Sequence, residues 1–289
     1  MKVFVIGAAG QLGKEFVKIF SAKENVELFK FDIVDVDISD FEKVSELFQK
    51  LEPELVINCA AYNDTVKAEH HFSPNYPVNS FAPYNLALLS NKFGAKFVHF
   101  GSDYVFDGSK SSPYTEDDIC NPVNEYGKAK SLGEQIILDK FPNSLVFRLS
   151  WVYGLGQQNF IYKLFEWSRK QRVLKIVDDE ISVPSSVKFI AERVLEALDN
   201  DLKGLYHLTP KGACSRYEWA LMIKKHLALN VGIHPAKIID FEQKIKRPHF
   251  SVMSSEKLSE DLGIQFKSWD EELDDYLHQE REYFKLPPT

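Results

Sequence analysis

The sequence predicts an α/β fold, a doubly wound parallel sheet followed by a smaller C-terminal α/β lobe. Two observations carry this. Strand-type apolar runs alternate with amphipathic helix-type stretches through the first 150 residues, and a glycine-rich loop joins the first strand to the first helix. After Trp151 the alternation weakens, which marks a change of architecture.

KVFVI (2–6) is a short run of β-type residues, followed by GAAGQLG and the amphipathic QLGKEFVKIF. VELFKF (26–31) reads as a second strand, and FEKVSELFQKL (41–51) has apolar positions at helical spacing. ELVINCAA (54–61) is a third strand. SFAPYNLALLSNKF (80–93) reads as a helix whose proline lies near its start, where it is tolerated. AKFVHFGS (95–102) is a fourth strand, NEYGKAKSLGEQIILDKF (124–141) a long helix, and SLVFRLSWVYG (144–154) a fifth strand. Beyond these, 159–171, 187–200, 216–229 and 269–284 read as helices, with short strands at LKIV (174–177) and LYHLT (205–209) and a loop over 241–255. The expected division is a dinucleotide-binding domain over 1–150 and a substrate-binding lobe over 151–289. The helix near 187–200 is expected to pack back on the first domain, and a cleft to lie between the two.

The totals narrow the function class. A chain of 289 residues, 44% hydrophobic and 27% charged, has the composition of a soluble globular protein, and no apolar run is long enough to cross a bilayer. The N-terminus does not read as a signal peptide. The net charge of −7 argues against a general nucleic-acid binder and leaves room for an anionic small substrate if positive charge is gathered locally. Three cysteines far apart, Cys59, Cys120 and Cys214, suggest neither a disulfide framework nor a zinc site. The expectation is a cytoplasmic protein with no membrane, nucleic-acid or metal partner.

Gly7, Gly10 and Gly13 form G-x-x-G-x-x-G between strand and helix, the setting in which a Rossmann-type loop accepts a pyrophosphate. Asp32 ends the second strand nineteen residues after Gly13. A carboxylate there can bond ribose hydroxyls and opposes a 2′-phosphate, which leans toward NADH. Asp37 and Ile38 next in the loop either flank an adenine or serve turn chemistry. The fourth strand ends in FGSDYVFDG, so Ser102 and Asp103 fall at the carboxyl edge of the sheet, where ligands of such folds bind. Tyr126 and Lys130 are four apart, on one helical face with Cβ atoms about 5–6 Å apart. A lysine beside a phenol lowers the phenol's pKa and suits it to proton transfer. Ser102, Tyr126 and Lys130 are thus the candidate catalytic set of a nicotinamide oxidoreductase. Lys244, Lys246 and Arg247 are candidates to meet a substrate diphosphate.

GAAGQLG, NCAAY, GSDYVFDG, NPVNEYGKAK, FRLSWVYG and KRPHFSV follow one another as in the extended short-chain dehydrogenases, and the chain most resembles the dTDP-4-dehydrorhamnose reductases over nearly its whole length. The resemblance implies reduction of the C4 ketone of dTDP-4-dehydrorhamnose to dTDP-L-rhamnose with NADPH or NADH, a step of nucleotide-sugar and surface-polysaccharide synthesis. It puts Ser102 where the family has its catalytic threonine, and Tyr126 and Lys130 on the family's tyrosine and lysine. Asp103, Tyr104 and Trp151 become substrate contacts. Gln11 and Leu12 join the glycines along the cofactor, as do Ala60, Ala61 and Tyr62, with Asn79 in the same region. A homodimer is compatible with the family. Glu15 matches a glutamate that in some members helps hold an interfacial magnesium; without evident partner ligands it is read as a surface residue.

Two departures bear on the substrate. Val66 stands where an aspartate is usual, and SVPSS (182–186) replaces a G-x-P-T segment. Among rivals, nucleotide-sugar dehydratases resemble this chain but carry Asp-Glu after the threonine, whereas Tyr104 follows Asp103 here. The regulatory β-subunits of methionine adenosyltransferase also resemble it and act by binding a partner. A reductase of another nucleotide keto-sugar is the remaining alternative.

Overall fold

The computed structural model describes residues 1–70, 72–242, 245–280 and 283. The first part runs β1 (Lys2–Ile6), α1 (Gln11–Ser21), β2 (Glu27–Phe31), α2 (Phe41–Leu51) and β3 (Leu55–Asn58). Two short helices, α3 (Thr65–His70) and α4 (Phe72–Tyr76), lead through a π-helical turn (Pro77–Phe81) into α5 (Ala82–Phe93), followed by β4 (Lys96–Ser102), α6 (Glu125–Lys140) and β5 (Leu145–Leu149). Next come β6 (Val152–Tyr153), α7 (Phe160–Lys170), β7 (Val173–Val177), β8 (Ile181–Ser182), β9 (Ser185–Ser186), α8 (Val187–Asp199) and β10 (Gly204–His207). The chain closes with β11 (Cys214–Ser215), α9 (Arg216–His226), β12 (Gly232–Ala236), α10 (Glu256–Leu262) and α11 (Trp269–Gln279). Of the predicted last helix, residues 281, 282 and 284 lie outside the described residues.

Six parallel strands form the main sheet in the order β2-β1-β3-β4-β5-β10. Both faces are covered, and the alternation of β1 shows how. Val3 and Val5 join a core with Phe16 and Phe20 of α1 and Ile190 and Val194 of α8, while Phe4 and Ile6 join one with Phe48 of α2, Leu86 of α5 and Ile137 of α6. Each such fully buried side chain contributes roughly 1.5–3 kcal/mol of transfer free energy. Because β2 lies on one side of β1 and β3 on the other, the strand order reverses between β1 and β3. A crevice opens there at the carboxyl ends. A third core gathers Tyr153, Leu164, Leu174, Trp219, Ile223 and Leu273 around the small β7–β12 sheet.

Several elements differ from their sequence reading. The predicted fifth strand breaks at Trp151, whose φ of +40° turns the chain out of the sheet before β6. LYHLT does not stay in the C-terminal part; as β10 it becomes the sixth strand of the main sheet, paired with β5. Helices α3, α4 and α10 occupy stretches that carry no clear period of their own.

Helix α6 is held unusually close to its neighbours. A Cβ at Gly133 would stand 2.4 Å from the Asn79 carbonyl oxygen in the π turn, and one at Gly127 only 2.1 Å from that of Tyr104. Ser80 Oγ donates to the Ala129 carbonyl at 2.6 Å, and Asn124 caps the helix by accepting from Gly127 N–H at 2.8 Å. Beneath it, Arg148 forms a buried two-pronged pair with Glu134, through Nη2 at 2.6 Å and Nε at 3.0 Å. The glycine between Tyr126 and Lys130 is therefore a packing requirement. Gly127→Ala is expected to destabilise the fold by about 1–3 kcal/mol, the usual range for overpacking against backbone. Urea unfolding would show it as a lowered midpoint, and an unchanged midpoint would refute the contact.

Candidate active site

The glycine loop is folded tightly on itself and on β3. Gly7 has φ +76°, and a Cβ there would lie 2.6 Å from Ala60 N; a Cβ at Gly13 would lie 2.1 Å from Gly7 O. Gly10 begins α1 without a side-chain cap, and no acidic residue occupies the first turn. The helix N-terminus is thus left free for an anion. Gly10, Gln11 and Leu12 line a cavity of about 830 Å³ that runs on past Cys59 and Ala61 to Ser102, Asp103, Tyr126 and Lys130. A dinucleotide pyrophosphate fits this cradle: it offers close backbone, helix-end polarity and no competing side chain. Gln11, Leu12, Gly13, Ala60 and Ala61 are the residues that would hold it.

The flanking residues have their own work. Asp32 accepts from Ala9 N–H at 2.7 Å and Ile33 N–H at 2.8 Å, so its carboxylate secures the glycine loop at the edge of the crevice. Asp37 accepts from Ser39 N–H at 2.9 Å, and Ile38 is 6% exposed in the core with Val36 and Val44. Asp37 thus makes a turn bond, and Ile38 packs in the core. Asn79 is fully buried; its amide accepts from Tyr62 N–H at 3.0 Å and donates to Tyr62 O at 2.9 Å, bracing the segment after β3.

At the reacting end, Ser102 lies beside the Tyr126 phenol; the phenol donates to Asn63 Oδ1 at 3.2 Å, and the Ser102 hydroxyl donates to Asp103 Oδ1 at 3.2 Å. Lys130 points from the same helical face into the cavity wall, where its ammonium donates to the Phe100 carbonyl. Burial lowers its pKa from the usual lysine range to about 8. The expected lowering of the Tyr126 pKa is not found. Burial pushes the phenol well above its ordinary range, the Ser102 hydroxyl draws it partly back, and the charge on Asp103 opposes ionisation. The reason is geometric: the ammonium is committed to a backbone carbonyl, not to the phenol.

Asp103, expected as a substrate contact, lines the same cavity and is also bound from behind. Its carboxylate is 3% exposed and faces four serine hydroxyls, those of Ser251, Ser182, Ser150 and Ser102, at 2.6, 3.1, 3.2 and 3.2 Å. Tyr104, next in sequence, stands edge-on to Tyr126 with ring centroids 5.8 Å apart.

Trp151, Val152, Gln158 and Lys163 line this cavity and also a second one of about 480 Å³. The second has aromatic walls from Tyr104, Trp151, Phe160, Trp167, Trp219 and Phe241. Its polar groups are mostly cationic: Arg216, Arg247, Lys163 and Lys175, against the single carboxylate of Glu180. The Arg216 guanidinium lies 3.6 Å from the centre of the Trp151 ring, which stacks on Trp219 at 5.7 Å. Glu180 stands 3.9 Å from Arg216 and 3.6 Å from Arg247. Arg247 is therefore at a cavity wall. Lys246 contributes a backbone carbonyl that accepts from Asn124, and Lys244 lies outside the described residues. Asn63, Lys163, Glu180 and Arg216 escape sequence reasoning. Each is an ordinary polar residue with no motif around it, and only Arg216, a cation opening a helix rather than closing it, breaks a local rule.

Known proteins share this arrangement of chain and fold. The spore coat polysaccharide biosynthesis protein SpsK of Bacillus subtilis is 35% identical over 278 residues, 96% of this chain and 97% of that protein. The crystal structure of a dTDP-4-dehydrorhamnose reductase from Clostridium acetobutylicum superposes with a TM-score of 0.93 at 34% identity, covering 97% of this chain and 100% of that one. The dTDP-4-dehydrorhamnose reductase of Bacillus anthracis, solved with NADP, gives a TM-score of 0.91 at 29% identity over 96% and 99% of the two chains. The model of the RmlD substrate binding domain family matches residues 1–282, and the chain belongs to that family.

Proposed function

We propose that the chain is an NAD(P)H-dependent reductase of a nucleoside-diphosphate keto-sugar, and that its substrate is dTDP-4-dehydrorhamnose, reduced at C4 to dTDP-L-rhamnose. One observation carries the reading: the cavity of Ser102, Tyr126 and Lys130 opens past Trp151 and Lys163 into an aromatic, cation-rich cavity in a protein of net charge −7. A keto-sugar suits the first cavity, a diphosphate the cations, and a flat base the aromatic walls. The names of the relatives support the sugar and a role in surface-polysaccharide synthesis.

A reduced nicotinamide, when bound, supplies the hydride. Tyr126 is fully protonated at neutral pH because burial disfavours its phenolate, so it stands ready as the acid for the oxygen that gains charge at C4. Ser102 stands beside the phenol, its own hydroxyl held by Asp103 Oδ1 at 3.2 Å. Lys130 places a positive charge in the wall beside them and favours that charge as it develops. Asn63 holds the phenol from the opposite side.

The direct test follows loss of near-ultraviolet absorbance of NADH and of NADPH with dTDP-4-dehydrorhamnose. Tyr126→Phe should lower turnover by about 10²–10⁴-fold, the usual share of a general acid, and leave cofactor affinity nearly unchanged. An active Tyr126→Phe enzyme would remove Tyr126 from the chemistry. Asp32→Ala should shift the ratio of kcat/KM values toward NADPH by about tenfold, since it removes a charge that opposes a 2′-phosphate. A constant ratio would mean that Asp32 serves the loop alone.

Lys130 ties the site to stability. In the folded protein it loses its proton near pH 8, in the unfolded chain near 10.5. Below pH 8 both states are charged and the full desolvation cost is present. Between the two values the unfolded state binds more protons, so stability rises with pH, and above 10.5 the cost is gone. Lys130→Met should therefore abolish turnover yet stabilise the fold at pH 7 by at most about 3.5 kcal/mol, at about 1.4 kcal/mol per pK unit. Urea unfolding should show that gain shrinking toward zero by pH 10.5. An equal gain at both pH values would rule out the buried ammonium as its cause.

A further inference from the structure

We propose that Asp103 is a positioning residue that sets the separation between the reducing centre and the cationic cavity. The identity of the ligand rests on the nucleotide-sugar reading above; the clasp itself does not. The carboxylate is buried, and no ion pair reaches it among the described residues. Its charge is compensated by hydroxyl donors alone: Ser251, Ser182 and Ser150 on Oδ2, and Ser102 on Oδ1. Three of the four donors crowd Oδ2 and fill its acceptor capacity, while Oδ1 accepts from Ser102 alone.

The four serines come from four separate stretches of chain, and each adjoins a residue of the two cavities. Ser102 ends β4 and is itself in the reacting cluster. Ser150 follows β5 and precedes Trp151. Ser182, in β8, lies two residues after Glu180, and Ser251 four residues after Arg247. The last two stretches are joined to each other by backbone, with Ile181 N–H donating to His249 O at 2.8 Å and Ser251 N–H to Ile181 O at 2.9 Å. That ladder carries Glu180 and Arg247, and Glu180 in turn faces Arg216. Asp103 ties the ladder to the carboxyl ends of β4 and β5. The position of one carboxylate thereby determines where both arginines stand relative to Ser102 and Tyr126. Loss of any one hydroxyl leaves a buried charge short of a donor, which the segments relieve by moving apart or admitting water.

The test uses the full-length protein with Ser251→Ala, Ser182→Ala and Asp103→Asn. The two serines line neither cavity, so their loss removes no ligand contact. Each serine variant should raise KM for the keto-sugar, and the calorimetric Kd for dTDP, by about tenfold, as expected for one lost charge-assisted hydrogen bond. The Kd for NADH and kcat at saturation should stay within about twofold, a split that general destabilisation would not produce. Asp103→Asn, which keeps one acceptor oxygen, should bind dTDP better than Asp103→Ala. Unchanged dTDP affinity in both serine variants, with wild-type protein binding dTDP, would overturn the clasp. Wild-type protein that binds NADH and not dTDP would instead overturn the nucleotide-sugar reading. In that case hydrogen exchange decides the clasp: faster exchange at the Ile181 and Ser251 amides in Ser251→Ala, with β1 to β5 unchanged, supports it, and unchanged exchange refutes it.

Discussion

The site depends on backbone approaching backbone more closely than a side chain permits. At the crevice between β1 and β3, Gly7 abuts Ala60; at the end of β4, Gly127 abuts the Tyr104 carbonyl. The first contact lays the phosphate loop against the strand that borders it. The second draws α6 over the sheet so that Tyr126 and Lys130 reach the end of β4. The π turn at 77–81 extends the same logic. It puts the Asn79 carbonyl where Gly133 can pass and turns Asn79 back to brace Tyr62. The proposed cofactor cradle and the proposed acid are thus placed by packing geometry before any charge acts.

Charge then works against burial. The interior holds Lys130, Asp103, Glu134 and Arg148, all nearly inaccessible. Arg148 and Glu134 neutralise each other, with His207 and Cys120 completing the guanidinium's partners, and this pair joins α6, β5 and β10. Asp103 and Lys130 are balanced differently, by neutral hydroxyls and a backbone carbonyl. Such charges are costly, and both sit beside the reacting cluster, where a positive charge and a fixed serine are of use. Trp151 fits the same pattern: a bulky residue at positive φ, held there by its contacts with Arg216 and Trp219.

An acidic protein that takes an anionic ligand must gather its cations. Here Arg216, Arg247, Lys163 and Lys175 come from α9, the segment before β-bridge residue Phe250, α7 and β7 to one cavity, and Glu180, shared by the two arginines, is the single carboxylate among its lining residues. The aromatic rings between them lower the local polarity and strengthen each charge. Net charge alone is a poor guide to such a ligand, because the field at the cavity is set by nearby groups.

Much of this was legible in the sequence. Strand–helix alternation, the continuous apolar run of β1, the glycine loop before α1 and the four-residue spacing of Tyr126 and Lys130 are local properties, read from neighbours along the chain. The sheet class and the crevice follow from them, and so does the proposed reacting set. The same reading misjudged the Tyr126 pKa, because spacing shows that two side chains share a face and not where the ammonium ends. It missed Asn63, Lys163, Glu180 and Arg216, and gave no sign of the serines gathered around Asp103. Those outcomes belong to tertiary structure: β10 enters the main sheet beside β5, and four serines from distant stretches converge on one carboxylate. Local periodicity carries no record of such meetings, since the partners are brought together only when the whole chain has closed around them.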